Sequence, residues 1–312
     1  MNTAKYDLVI IGAGVAGLSA AGYGARANLK VLVIELGGSG GQAQNIVSLE
    51  NYPGLYPAIS GYEFIENMKK QAISFGAEIN NTEVLSLDKK NDVFVLKTST
   101  QEITATSLLL ATGSSPRKLD CPGEIEFAGR GVSYCATCDG PFFKNKKILV
   151  VGGGDSACDE ATFLSTISDN VTVIHRRSEF RAQKAVAQRV LDNPKINVKF
   201  NTVVSQIQGN NKVESVILKN TITGTQEEIS VDGVFIFVGA KPRTELMPFI
   251  KHDNEGYIIT DENMATDIPG LFCAGDVRSK TFRQVVTAAS DGAIAAHSAE
   301  KYILSLKNKA YN

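Results

Sequence analysis

The chain has 312 residues, 43% of them hydrophobic and 21% charged, with a formal net charge of −1. That length predicts about two domains, each with enough apolar residues for a core of its own. The near-zero charge excludes a global basic field for nucleic acid or an anionic membrane, and no apolar stretch free of glycine and charge is long enough to span a bilayer.

The first elements read as strand, glycine turn, helix, strand. Residues 6–11 (YDLVII) form a short buried apolar run that feeds a glycine turn and lacks a small-residue cleavage site, so it reads as a strand and not as a signal peptide. Gly12, Gly14 and Gly17 follow as G-x-G-x-x-G, residues 18–27 are helical and rich in small side chains, and residues 29–34 form a second strand closed by Glu35. The glycines of this pattern allow a tight turn, close approach of the backbone to a pyrophosphate and close helix–strand packing. Glu35 stands 23 residues beyond Gly12, where an acid binds a ribose diol. The site reads as one for FAD or NAD.

Residues 80–106 alternate apolar and polar side chains between Asn, Gly and Thr turns, the pattern of antiparallel hairpin strands covering a sheet. The next stretch, residues 107–124, holds an apolar strand, Ala111-Thr112-Gly113, and a Ser/Pro/Gly-rich run that marks a domain boundary.

Residues 133–143, SYCATCDGPFF, contain Cys135 and Cys138 two residues apart. A structural zinc needs four ligands, and neither the other three cysteines (Cys121, Cys158, Cys273) nor the three histidines are spaced to complete one. An inert buried pair and a redox dithiol remain. The dithiol is the favoured reading, because C-x-x-C suits disulfide closure across one turn and such motifs depress the pKa of one thiol. Asp139 is a poor activator of an adjacent thiolate but is placed to exchange a proton, or alternatively to cap the following turn. Of Phe142 and Phe143, one is expected in the core and the other free to contact a partner.

Residues 146–181 repeat the opening pattern. Gly152, Gly154 and Ala157 form G-x-G-x-x-A, and the position 23 residues beyond Gly152 is His175, followed by Arg176 and Arg177. A basic cluster replaces the acid, which suits a 2′-phosphate, so this site reads as NADP(H). Arg181 joins the cluster if a helix starts near Ser178. Residues 197–231 again read as antiparallel hairpins, and residues 232–244 (DGVFIFVGAKPRT) as a strand and a second boundary. The C-terminal part holds a strand, a turn at Gly275-Asp276 and a long helix of small residues from about Gln284, with no further nucleotide signature.

The expected architecture is α/β, with two Rossmann-like three-layer dinucleotide-binding domains, the NADPH domain inserted into the FAD domain. Residues 1–115 and 246–312 would form the FAD domain and residues 116–245 the NADPH domain, joined near residues 114–117 and 241–245. Two such short crossings favour relative motion of the domains. The odd, scattered cysteine count excludes a secreted disulfide framework and points to the cytoplasm.

The motifs GAGVAG, GGSGGQ, ENYPG, ATG, GRGVSYCATCDG, VVGGGDSA, HRRSEFRA, CAGDVR and RQVVTAASDG run from end to end of the chain. Together they resemble the bacterial low-molecular-weight thioredoxin reductases, FAD-dependent pyridine nucleotide–disulfide oxidoreductases. The resemblance implies that FAD is bound by Gly12, Gly14, Ala16, Gly17, Glu35, Gly40, Gly41, Gln42, Asn51, Ala111, Thr112, Gly113, Gly275, Asp276, Arg283, Gln284 and Val285. It assigns NADPH to Gly152, Gly154, Asp155, Ser156, Ala157, His175, Arg176, Arg177 and Arg181. It also implies that Cys138 faces the flavin, that Cys135 attacks the disulfide of thioredoxin, and that Asp139 is the acid/base. Arg130, Phe142 and Phe143 correspond to the partner-docking surface of a homodimeric enzyme. Cys158 and Cys273 depart from the family's usual small or apolar residues. The alternative is a reductase of another thioredoxin-like carrier, or the flavoprotein of an alkyl hydroperoxide reductase system. The latter is expected to carry a further N-terminal thioredoxin-like region, whereas this sequence opens on its first flavin strand.

Overall fold

The computed structural model describes residues 4–46, 48–90 and 92–309; residues 1–3, 47, 91 and 310–312 lie outside them. The chain forms two compact units, Met1–Ser115 with Lys241–Asn312, and Pro116–Ala240.

In chain order the first unit contains β1 (Ala4–Ile11), α1 (Val15–Arg26), β2 (Val31–Glu35), α2 (Gly61–Ser74), β3 (Glu78–Asn81), β4 (Val84–Lys90), β5 (Val93–Thr98) and β6 (Glu102–Leu110). The crossing strand β7 (Ser114–Pro116) leads to β8 (Val132–Ser133), α3 (Ala136–Asp139), β9 (Ile148–Gly152), α4 (Asp155–Ser165), β10 (Val171–Ile174), α5 (Lys184–Leu191) and β11 (Ile196–Lys199). There follow β12 (Thr202–Gly209), β13 (Val213–Asn220), β14 (Gln226–Ser230) and β15 (Gly233–Phe237). The chain returns through β16 (Ala240–Pro242), which pairs with β7, and ends with β17 (Leu271–Cys273) and α6 (Val285–Lys309).

The two units are built alike. In the first, parallel strands run in the order β3-β2-β1-β6, with β17 against the C-terminal end of β6. In the second the order is β11-β10-β9-β15-β8, also parallel. In each, the strand before the glycine turn lies between the strand that follows it and one that arrives much later. This is the topological switch point at which open α/β sheets bind ligands, beyond the carboxyl ends of the strands.

Both faces of β1 are buried. Leu8 and Ile10 pack with α1, α2 and α6, while Tyr6, Val9 and Ile11 pack with Phe94, Leu96 and Ile258. Continuous apolar strands of this kind belong to sheets covered on both sides, and each large side chain fully buried there contributes about 1.5–3 kcal/mol. Small residues let α1 and α6 approach closely: an added Cβ at Gly292 would stand 2.1 Å from the carbonyl oxygen of Ala16.

The two hairpin regions differ. Strands β12, β13 and β14 form a separate antiparallel sheet, whose Val216 and Leu218 cover Leu149 and Ile236 of the second parallel sheet. In the first unit β4 and β5 are hydrogen-bonded onto the parallel sheet itself, β5 running antiparallel to the N-terminal half of β6, while Leu87, Phe94 and Leu96 pack with Tyr6, Val9 and Ile11. The length of β6 explains the difference. Its C-terminal end is occupied by β17, and its first residues leave an open edge.

One half-buried carboxyl of the second unit is held away from its ordinary state. Burial, and then the charge of Asp159, push Glu160 on α4 up to about 7. A folded pKa above the unfolded value contributes stability that is complete below the unfolded pKa and lost as pH rises through the folded one. Glu160→Gln is therefore expected to raise the melting temperature at pH 8 and to leave it unchanged near pH 4. Equal effects at the two pH values, measured by circular dichroism, would exclude this account.

Candidate active site

In the first unit the glycine turn is closed by its neighbours. Gly12 has φ +108° and donates its N–H to Ile34 O at 2.8 Å; a Cβ there would stand 2.3 Å from Ala111 O. A Cβ on Gly17 would stand 1.9 Å from Gly12 O. Gly14 is the N-cap of α1 and offers no side-chain cap, whereas Ser60 caps α2 by accepting from the N–H of Glu63. The first turn of α1 thus keeps its N–H groups for an anion.

The expected residues of this unit are tied by bonds of their own. One carboxylate oxygen of Glu35 accepts from the N–H of Ala13 at 2.7 Å, and the N–H of Gly40 donates to Ala13 O at 2.8 Å. Gln42 Nε2, on the short turn Gly41–Asn45, donates to Ser114 O and Oγ, both at 2.9 Å. Asn51 Nδ2 donates to Gln284 Oε1 at 3.1 Å, and Thr112 Oγ1 to Arg243 O at 2.6 Å, with Gly113 O accepting from the N–H of Arg243. A Cβ on Gly275 would stand 2.9 Å from that of Ala16. Arg283 stacks over the ring of Tyr257, 3.9 Å from its centroid, and Val285 begins α6. Arg283 Nε and Asp276 Oδ1 are buried without a hydrogen bond.

The second unit repeats the closure. A Cβ on Gly152 would stand 2.3 Å from Phe237 O and 2.7 Å from the Cβ of Ala157, and Gly154 leaves α4 uncapped. Asp155 is engaged by Gln183, whose N–H and Nε2 donate to its two oxygens at 2.7 and 3.1 Å. Ser156 is exposed. His175 is buried with its ring over Gly153, and its Nε2 has no partner. Burial, then the charges of Arg177, Arg176 and Arg181, hold its pKa below the ordinary value, so the ring stays neutral. Arg176, Arg177 and Arg181 are exposed. No helix starts near Ser178: α5 begins at Lys184, and Arg181 returns to the site because its N–H and that of Ala182 both donate to Gly153 O.

Cys135 and Cys138 form a disulfide, with Cα atoms 5.4 Å apart, across the single turn α3. Cys135 is the N-cap of that turn, and its Sγ accepts from the N–H of Cys138 at 3.2 Å. Ser133 Oγ accepts from the N–H of Cys135 at 3.0 Å. Cys138 is exposed and Cys135 half-buried. Asp139 makes no side-chain cap to the following turn Gly140–Phe143. Phe143 packs edge-on against Phe235, while Phe142 is 80% exposed. Arg130, expected on a docking surface, donates to the carbonyls of Glu126 and Asn211.

The other thiols are of a different kind. Burial, and then Glu124, push Cys121 up to about 11; burial, and then Asp159, push Cys158 up to about 12; burial raises Cys273 as well. All three stay protonated and unreactive at neutral pH. Sequence reasoning missed Glu124. It is 1% exposed, accepts from the N–H groups of Leu119 and Asp120 and from Tyr134 OH, and so fixes the residue before Cys135. No local spacing signals that role.

The family model described as pyridine nucleotide-disulphide oxidoreductase matches residues 6–292. The chain is 56% identical to the thioredoxin reductase of Treponema pallidum, over 97% of this chain and 99% of that protein. It is 46% identical to the thioredoxin reductase of Peptoclostridium acidaminophilum, over 96% and 97%. The chain belongs to the thioredoxin reductase family. A solved thioredoxin reductase of Lactococcus lactis, in its FR conformation, superposes with a TM-score of 0.94 at 44% identity, covering 96% of this chain and 99% of that one.

The cofactors of this reductase are FAD and NADPH. The residues present fit both groups. The closed glycine turns leave uncapped helix starts at two switch points, and the first unit holds buried polar atoms without a hydrogen bond on Asp276 and Arg283. The second holds the unpartnered His175 Nε2 beside three exposed guanidinium groups.

Gly17→Ala is expected to yield this reductase with roughly tenfold weaker FAD retention, since overpacking of this kind costs about 1–3 kcal/mol. Gly22→Ala, where the nearest atom lies 4.0 Å away, should keep its full FAD content. Flavin absorbance per purified chain measures both, and equal contents would refute the close-approach argument.

Proposed function

We propose that the chain reduces oxidised thioredoxin with NADPH, in the cytoplasm and as a homodimer, through the Cys135–Cys138 pair. The observation that carries this reading is the disulfide itself, on a single turn where Cys135 Sγ accepts a backbone N–H, in a chain whose other thiols are held protonated. The unpaired cysteines suit a reducing compartment. No helix among the described residues is long and apolar enough to cross a membrane. The homodimer is carried over from the family resemblance.

In this reading Gly12, Gly14, Ala16, Gly17, Glu35, Gly40, Gly41, Gln42, Asn51, Ala111, Thr112, Gly113, Gly275, Asp276, Arg283, Gln284 and Val285 hold FAD. Gly152, Gly154, Asp155, Ser156, Ala157, His175, Arg176, Arg177 and Arg181 hold NADPH, the arginines taking its 2′-phosphate. The arginines favour NADPH over ferredoxin as donor, because a ferredoxin would leave them without a ligand.

Bound NADPH and FAD supply a hydride equivalent, two electrons and a proton. Taking these up breaks the Cys135–Cys138 bond and leaves one thiol and one thiolate. The N–H of Cys138 stabilises the thiolate at Cys135, which attacks one sulfur of the thioredoxin disulfide. A mixed disulfide forms and one thioredoxin thiolate leaves. Asp139 carries the proton from Cys138 to that thiolate. The Cys138 thiolate then attacks Cys135 Sγ, re-forms the internal disulfide and releases the second thioredoxin sulfur. Phe142 offers an apolar contact for the protein substrate beside this turn.

Replacing Arg176 and Arg177 together by alanine is expected to raise KM for NADPH by one to two orders of magnitude, since hydrogen bonds to charged groups contribute about 1.5–3 kcal/mol each. KM for NADH should hardly move; an unchanged preference for NADPH over NADH would sink the 2′-phosphate assignment. Cys135→Ser is expected to retain bleaching of the flavin by NADPH and to lose thioredoxin reduction. Full thioredoxin turnover in that variant would refute the role of Cys135.

A further inference from the structure

Beyond β10 the chain is fastened at two separate places. The N–H of His175 donates to Lys199 O at 3.0 Å, and the N–H of Asn201 donates to Arg177 O at 2.9 Å. Residues 175–177 are thus tied to β11 and the turn after it, which holds the backbone of Arg176 and Arg177. Arg181 lies past those bonds. Phe180 packs edge-on against Phe200, with ring centroids 5.0 Å apart, and the next three N–H groups all dock on the glycine turn. Those of Arg181 and Ala182 donate to Gly153 O at 2.6 and 3.1 Å, and that of Gln183 donates to Asp155 Oδ1 at 2.7 Å.

Gln183 adds a side-chain bond to this docking: its Nε2 donates to Asp155 Oδ2 at 3.1 Å. One residue therefore engages both oxygens of one carboxylate, which fixes direction as well as distance. Gln183 is the N-cap residue of α5, yet its side chain makes no cap bond to that helix, and Asp155 opens α4. The clasp joins the starts of the two helices, two residues beyond Arg181. Arg181 is exposed, and its charge acts on His175 together with those of Arg176 and Arg177. An arginine on a fixed backbone loses less freedom on meeting a phosphate than one on a loose segment.

We infer that Gln183 is a positioning residue for coenzyme specificity: through its two bonds to Asp155 it fixes the segment that presents Arg181 to the 2′-phosphate of NADPH. The inference rests on the proposed reading that Arg181 meets that phosphate. Asp155 serves the same site through the clasp, since each of its oxygens accepts a bond from Gln183.

The test titrates 2′,5′-ADP, which carries the 2′-phosphate and no nicotinamide, into the oxidised holoenzyme by isothermal titration calorimetry. Gln183→Leu is expected to weaken binding roughly fivefold, the scale of one solvent-facing hydrogen bond. The loss should vanish in an Arg181→Ala background and persist in an Arg176→Ala background, because Arg176 is held by other bonds. Such non-additivity marks residues that act through one another, whereas a general loosening of the unit would weaken binding in both backgrounds. Gln183 is exposed, so its replacement leaves the core intact. In turnover, KM for NADPH should rise by the same factor with kcat at saturating NADPH unchanged. Parent affinity in Gln183→Leu, an undiminished further loss on top of Arg181→Ala, or a loss that also vanishes with Arg176→Ala overturns the inference. Arg181→Ala by itself separates the premise. If that variant binds 2′,5′-ADP as the parent does, the reading beneath the inference fails. Weakened binding in Arg181→Ala with parent affinity in Gln183→Leu defeats the inference alone.

Discussion

At the end of each central strand a carbonyl oxygen occupies the space that a side chain would need. Ala111 O closes on Gly12 and Phe237 O on Gly152, both 2.3 Å from where a Cβ would stand. This contact ties the strand before the turn to a strand that arrives far later in the chain. It draws the helix start against the sheet and leaves the first helical N–H groups free at the switch point. The rest of the structure depends on it. In each unit the glycine turn and the helix start behind it are set by this contact.

The same frame, built twice, carries different side chains at one register. In the first unit an acid stands after β2, and Glu35 is tied to the turn through the N–H of Ala13. In the second, His175 lies neutral over Gly153, and the chain beyond it folds back so that three guanidinium groups stay free. On the proposed reading, the charge of the register, and not the fold, distinguishes a ribose diol from a 2′-phosphate.

The chemistry of sulfur is divided by environment. Cys121, Cys158 and Cys273 are kept as thiols by burial and nearby carboxylates, and Cys135 and Cys138 sit at a helix start where a backbone N–H meets Sγ. Glu124 holds Tyr134 and so the approach to Cys135, while Phe143 anchors the far side of the turn against Phe235. The five cysteines are thus divided into one redox pair and three inert thiols by what surrounds them.

The glycine signatures, the 23-residue spacing and the C-x-x-C were legible in the chain, because each describes contacts between residues close in sequence. Periodicity also revealed the buried strands and both hairpin regions. It did not reveal that β4 and β5 extend the first sheet, since that depends on how far β6 runs beyond β17. Nor did it place Arg181, whose route back to the site goes through Gly153 and not through a helix. Glu124 and Gln183 were silent for a related reason. Their partners include Tyr134, ten residues on, and Asp155, 28 residues back. The chain's order of residues settled which chemical groups are present and which local turns they make. Folding settled which charges meet, because a buried carboxylate finds its partners by proximity in space, and that proximity is created by the packing of distant strands and helices.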